Sequence, residues 1–316
     1  MPGGPHPGIP GRARPRLTAP AGSGPGPVRH VRFLALPPPA RVFATLLGMY
    51  GKSDVSLPRR VVCLTAEHVE ICYALGAGDR VVGVPGTARR PAEAAAKPRV
   101  GGFTTFRVDR ILELQPDLIL AFSDLQADIS AELIRAGLPV FCANPRSMDE
   151  VMQTILTVGG LLGAEPAGRA LVLDMRDEIT QVREFSRVWP DRPRVYFEEW
   201  HEPLIAGIRW VSELIELAGG RDVFADLRDR KNARDRVVDP AEVVRRNPQV
   251  IVASWCGKPA DLDAIAARPG WDRISAVRGG RIHEMDGADI LSPGPSLLIG
   301  LRRLHELMQE ALDARE

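Results

Sequence analysis

The residues best equipped for chemistry are His68, His201 and His283, together with Cys256 and Glu199, because imidazole, thiolate and carboxylate make a ligand set for a transition metal. No pair of them has the spacing of a metal motif, so no metal site is assigned. A single axial histidine to a bound chelate is the sharper alternative, and a polar histidine at a helix start is the plainer reading of His68. Glu198 and Glu199 are neighbours in a strand and point to opposite faces, so one carboxylate looks into a sheet layer. A buried carboxylate needs a partner, which a metal or the amides of a ligand would supply. Trp200, Trp210 and Trp255 fall at or near strand ends, where their faces can pack on a large flat ligand; the competing reading is core packing. Catalysis finds no support: there is no nucleophile elbow, phosphate loop or dinucleotide fingerprint, and Gly83-Val-Pro-Gly86 is too short for one.

The elements that must position these residues are set out by a phrase that occurs twice. Val108-Asp-Arg-Ile-Leu-Glu-Leu-Gln-Pro-Asp-Leu-Ile-Leu-Ala121 and Pro240-Ala-Glu-Val-Val-Arg-Arg-Asn-Pro-Gln-Val-Ile-Val-Ala253 superpose Pro116 on Pro248, an offset of 132 positions. In each, an amphipathic helical turn ends at a proline and an all-apolar run of strand length follows. Unbroken apolar strands preceded by helices require a sheet covered on both faces, so the fold class is α/β, with two Rossmann-like lobes of parallel strands. Ligands of such sheets bind beyond the strand carboxyl ends, which puts a cleft between the lobes.

The flanking segments fill in this frame. Strands are expected at 60–64, 80–84, 97–101, 118–121 and 138–143 in the first lobe, and at 194–200, 250–253 and 281–285 in the second. Thr65 caps a helix closed by Gly76, and its first turn brings Glu67 and His68 to the ligand side. The glycine turn after Val100 carries Phe103 and Thr104 there, and the loop after Ala121 adds Ser123 and Asp124. Cys256 follows Trp255 in the second lobe. Residues 147–188 have apolar positions at helical spacing, including a helix of about 20 residues after Pro166, and make a stiff joint between the lobes. The expected divisions are 1–56, 57–146 for the N-terminal lobe, 147–190 for the helical linker and 191–316 for the C-terminal lobe.

Residues 1–40 hold eleven prolines and seven glycines, and no acidic residue precedes Asp54, so 1–56 reads as disordered. Six arginines lie before residue 50; the remainder has 35 basic and 40 acidic residues, a net charge of −5, with no footprint for nucleic acid. Residues 31–48 make a poor secretory signal with no lipidation cysteine nearby, and a start near Met49 fits equally well. No apolar run has the ~20 residues of a membrane span. The cysteines, Cys63, Cys72, Cys142 and Cys256, lack metal-finger spacing and read as free thiols, with Cys63 and Cys142 as small buried hydrophobes, which favours a reducing compartment.

Together, Val62-Cys-Leu-Thr65, Val81-Val-Gly-Val84, Val100-Gly-Gly102, Ile111-Leu-Glu-Leu-Gln-Pro-Asp-Leu-Ile-Leu120, Gly137-Leu-Pro-Val140, Glu213-Leu-Ile-Glu-Leu-Ala-Gly-Gly220, Pro248-Gln-Val-Ile-Val252 and Arg268-Pro-Gly-Trp271 resemble the substrate-binding proteins of iron-siderophore, heme and vitamin B12 transporters, over residues 59–313. Glu198-Glu-Trp200 and Ser254-Trp-Cys-Gly257 are similar to the cobalamin-binding branch. The resemblance implies a monomer of two lobes on a rigid helix. It implies cobalamin, heme or a ferric siderophore as a non-covalently held ligand, no catalytic cofactor, and an ABC-type permease as partner. It also implies the periplasm or cell envelope, against which a cytosolic chaperone or regulator for a corrinoid, heme or metal on the same scaffold stands as the alternative. One acid per lobe docks on the permease in that family. The first falls on Asp109, an aspartate where the branch has glutamate; the second falls on Ala241, leaving Glu242, one place later, as the substitute.

Overall fold

The computed structural model describes residues 56–314, so the disordered segment expected at 1–56 lies, but for Ser56, outside the described residues. Among the described residues ten strands form two sheets. The first runs in the order β3-β2-β1-β4-β5 through Val61–Cys63 (β1), Val81–Pro85 (β2), Arg99–Gly101 (β3), Leu118–Phe122 (β4) and Val140–Ala143 (β5), and every pairing is parallel. The second runs β10-β9-β6-β7 through Arg194–His201 (β6), Leu204–Ala206 (β7), Val250–Ala253 (β9) and Ile282–Glu284 (β10). The two-residue β8, Arg221–Asp222, pairs beside the start of β6. Here the parallel expectation needs one correction: β7 turns back from β6 and pairs antiparallel at the sheet edge.

Alternate residues of each strand serve different layers. Val61 and Cys63 enter one core while Val62 and Leu64 enter another, and Phe197 and Tyr196 are divided likewise in the second lobe. Burial on both faces explains the continuous apolar runs. The largest core takes β1 and β4 of one sheet and β6 and β9 of the other. It joins them through helices Met148–Leu161 and Glu165–Ser186, with helix Leu297–Asp313 closing the far side. The helix of about 20 residues expected after Pro166 is Glu165–Ser186, and Met148–Leu161 precedes it as a second helix of the joint, separated from it at Gly163, where φ is +62°. Ser147 and Glu150 form a reciprocal capping box at the start of the first, and Pro166 opens the second. Because one core runs through both lobes, bending the joint would open buried apolar surface, which makes the joint stiff.

Candidate ligand cleft

The carboxyl ends of the two sheets face each other. On one side Arg89 and Arg90, in the loop after β2, reach Asp286, Asp289 and the Ala288 carbonyl beyond β10, at 3.0, 2.6 and 2.7 Å. On the other side the loops after β4 and β5 meet the segment after β7 around a cavity of about 220 Å³. Asp124, Asn144, Arg146 and Glu150 line it from the first lobe, and Ile208, Arg209 and residues 228–232 from the second. With β2 opposite β10 and β4–β5 opposite β7, the strand orders set the ends of β1 and β4 against those of β9 and β6.

The β1 end carries Thr65, Glu67 and His68. Thr65 does not supply the side-chain helix cap expected from sequence; its hydroxyl pairs with His68 Nδ1 at 2.8 Å. Glu67 and His68 are buried instead of lining an open wall, and neither Glu67 Oε1 nor His68 Nε2 has a partner. Burial raises the Glu67 carboxyl from 4.5 to about 7 and lowers His68 from 6.5 to about 4. Gly294 of the second lobe lies over Glu67, where an added Cβ would come within 2.9 Å of the Glu67 Cβ, so glycine permits the close approach.

The loops after β1, β3 and β4 are tied by Gln126, which sequence reading missed. Its carboxamide accepts from Phe122 N at 2.9 Å and donates to Leu64 O and Phe103 O at 3.2 and 2.8 Å, fully buried. Phe103 is thereby set 6.5 Å from Phe122, and Arg146 lies over the Phe122 ring at 5.7 Å. Thr104 is exposed in the same loop. Ser123 holds φ at +56°, a sparsely populated conformation for a non-glycine residue, and its hydroxyl accepts from Leu125 N. Asp124 pairs with Arg146 at 3.3 Å.

At the β6 and β9 ends the expected external partner of Glu198 and Glu199 is replaced by internal ones. Glu198, fully buried, is held by both Nη atoms of Arg268, at 2.5 and 2.8 Å, and accepts from Trp255 Nε1 at 3.1 Å. Glu199 is held by Arg236 at 2.7 and 3.0 Å and accepts from Ile208 N. A buried carboxylate paired in this way is satisfied without a ligand. The Trp255 ring, fixed by Glu198, stacks on His201 at 4.3 Å, and Trp200 meets His201 edge-on at 4.9 Å. Lys258 Nζ lies 4.9 and 5.0 Å from the Trp200 and Trp255 ring centres and 3.1 Å from His201 Nε2. Trp255 is itself buried in the core of the second lobe, so the members of this group left to meet a ligand are the half-buried Trp200 and His201 and the exposed Lys258.

Other residues singled out from sequence lie elsewhere. Trp210 is core: it is buried in the shared cluster, and its Nε1 donates to Ile290 O. The metal grouping does not assemble, since among the described residues no three of His, Cys, Asp and Glu converge. Cys256 and Cys142 are exposed, so Cys142 is not the buried hydrophobe its strand suggested, whereas Cys63 and Cys72 are buried with their sulfurs 3.9 Å apart. Asp109 is exposed and paired with Arg107; Glu242 is held by Arg245 and Arg246. The basic segment at 228–232 and the partners Arg236 and Arg268 were also missed. The charge-dense run Arg228-Asp-Arg-Lys231 was the available signal for the first.

Two α/β lobes on a stiff joint, with strand ends facing across an aromatic and basic cleft, define a bilobal solute-binding protein. Residues 61–288 match the family described as periplasmic binding protein, and the chain belongs to that family of solute-binding transport proteins, which are not enzymes. It is 28% identical over 277 residues to the uncharacterized ABC transporter substrate-binding lipoprotein YvrC of Bacillus subtilis, across 84% of this chain and 85% of that one. A vitamin B12-binding protein of Yersinia pestis is 29% identical over 238 residues, 74% of this chain and 82% of its own. Among solved structures, the apo form of the periplasmic heme-binding protein RhuT from Roseiflexus superposes with a TM-score of 0.70 at 26% identity, covering 80% of this chain and 99% of that one.

Proposed function

We propose that the protein captures cobalamin or a related corrinoid between its lobes and delivers it to an ABC-type permease, performing no chemistry on it. The observation that carries this reading is the group at the ends of β6 and β9, where the half-buried rings of Trp200 and His201 stand with the exposed Lys258 over the buried Trp255 and offer aromatic contact area to a macrocycle. Phe103 supplies apolar area from the facing lobe, and the exposed Thr104 and Asp124 offer hydrogen bonds to ligand side arms, whereas Ser123 is buried. The similarity to vitamin B12-binding proteins supports the corrinoid. Heme is the second reading, favoured by the similarity to the heme-binding structure. Among the described residues no helix is long and apolar enough to cross a membrane.

For docking, Asp109 is the first-lobe contact in this reading. Its exposed pair with Arg107 is exchanged for a permease arginine at little cost. Glu242 is the weaker contact, because Arg246 ties it to Asp226 as well. The test is uptake of labelled cyanocobalamin by cells with and without the gene. Loss of uptake on deletion, restored by the wild-type gene, is expected; uptake unchanged by deletion contradicts the reading.

A further inference from the structure

The 220 Å³ cavity where the loops after β4 and β5 meet the segment after β7 is lined mainly by cations. Arg146, Arg209, Arg228, Arg230 and Lys231 line it with Asp124, Glu150 and Asp229, and Glu213 and Glu216 reach Arg209 and Arg228 from outside the lining, so the carboxylates match the cations in number but not in placement. The pairing pattern locates the cations left over. Asp124 takes Arg146, Asp229 and Glu213 take Arg209, and Glu216 takes Arg228. Arg230 and Lys231 have no ion pair with any described residue, although they are adjacent and follow Arg228 in one short segment. Arg146 adds a buried Nε with no partner. Gathering like charges in a concave site between two lobes is unfavourable until an anion enters.

We infer that this cavity is an oxyanion subsite for the cargo, and that on a corrinoid it takes the phosphodiester of the nucleotide arm while the ring packs against Trp200 and His201. The inference rests on the corrinoid reading. Size agrees: the cavity is several times the roughly 30 Å³ share of one water, enough for a phosphate and its ester carbons and too small for a macrocycle. Arginine forks suit phosphate oxygens, and residues from both lobes converge on the group, so its capture would also bridge the lobes.

The experiment is calorimetric titration of the full chain with cyanocobalamin and with dicyanocobinamide, which has the corrin ring and no phosphate. Wild-type protein is expected to bind cobalamin at least roughly tenfold tighter, as one charge-assisted hydrogen bond suffices to give. The exposed double variant Arg230→Glu/Lys231→Glu, and separately Arg146→Gln, should erase that preference by weakening cobalamin alone. Unchanged circular dichroism and melting would show the variants folded. Equal affinity for both ligands in wild-type protein, or variants that weaken both alike, overturns the inference and leaves the corrinoid reading standing. Inorganic phosphate that competes with both ligands alike marks a free-anion site and overturns it too. Binding of neither corrinoid removes the cargo reading, and the inference with it.

Discussion

Glu67 and His68 are adjacent in the first turn of helix Ala66–Ala74, and burial drives them in opposite directions. The Glu67 carboxyl rises from 4.5 to about 7 because its charged form is desolvated, against partial relief from its own backbone N–H and Thr65. His68 falls from 6.5 to about 4 because burial disfavours its cation. Each displacement corresponds to roughly 3 kcal/mol of pH-dependent stability. For Glu67 the native state keeps a proton that the unfolded chain releases, so its contribution is complete below pH 4.5 and is lost as pH rises toward 7. For His68 the unfolded chain takes up a proton that the native state refuses, so its contribution is complete above pH 6.5 and is lost as pH falls toward 4. Between pH 4.5 and 6.5 the two slopes oppose each other, and each is hidden in the wild-type protein. Glu67→Gln should match wild type below pH 4.5 and be more stable by roughly 3 kcal/mol above pH 7. His68→Gln should show the mirror image, gaining a similar amount toward pH 4. Urea unfolding followed by circular dichroism from pH 4 to 8, at constant ionic strength, gives the variant-minus-wild-type difference. A difference that does not change with pH in either variant would refute the reasoning.

Three further outcomes are expected. Arg268→Ala leaves the fully buried Glu198 carboxylate unpaired and should cost roughly 3–5 kcal/mol in urea unfolding, whereas Arg303→Ala, at an exposed helical pair, should cost under about 1 kcal/mol; equal costs would contradict the description of the Glu198 pair. Gln126→Ala orphans Phe122 N, Leu64 O and Phe103 O together, so hydrogen exchange should accelerate in the loops after β1, β3 and β4 ahead of the strands, and uniform acceleration would count against a local tie. Asp109→Ala should leave ligand affinity intact while lowering uptake more than Glu242→Ala does; the reverse order would put the docking contact on the second lobe.

What was legible in the sequence followed from local physics. The central strands need no tertiary knowledge: Leu118-Ile-Leu-Ala121 and Val250-Ile-Val-Ala253 are continuous apolar runs because each strand is covered on both faces, and the repeat exposes the pairing of lobes. Leu204–Ala206 was not legible as a strand, since three residues behind Glu202-Pro203 carry too little pattern. Nor were the partners of the glutamates, because Arg236 and Arg268 lie 37 and 70 positions away and look like surface arginines. Gln126 resembles any polar residue in a helix-start loop until the loops it ties are seen. Trp210 could have been assigned to the core: Trp210, Val211, Leu214 and Ile215 fall on one face of their helix, and all are buried.

The most direct test of the corrinoid reading is a parallel calorimetric titration of the purified full chain with cyanocobalamin, hemin and a ferric siderophore. The account predicts saturable binding of cyanocobalamin at micromolar concentration or below, stronger than that of the other two. Hemin bound more tightly than cyanocobalamin, or no binding of cyanocobalamin at all, would contradict it.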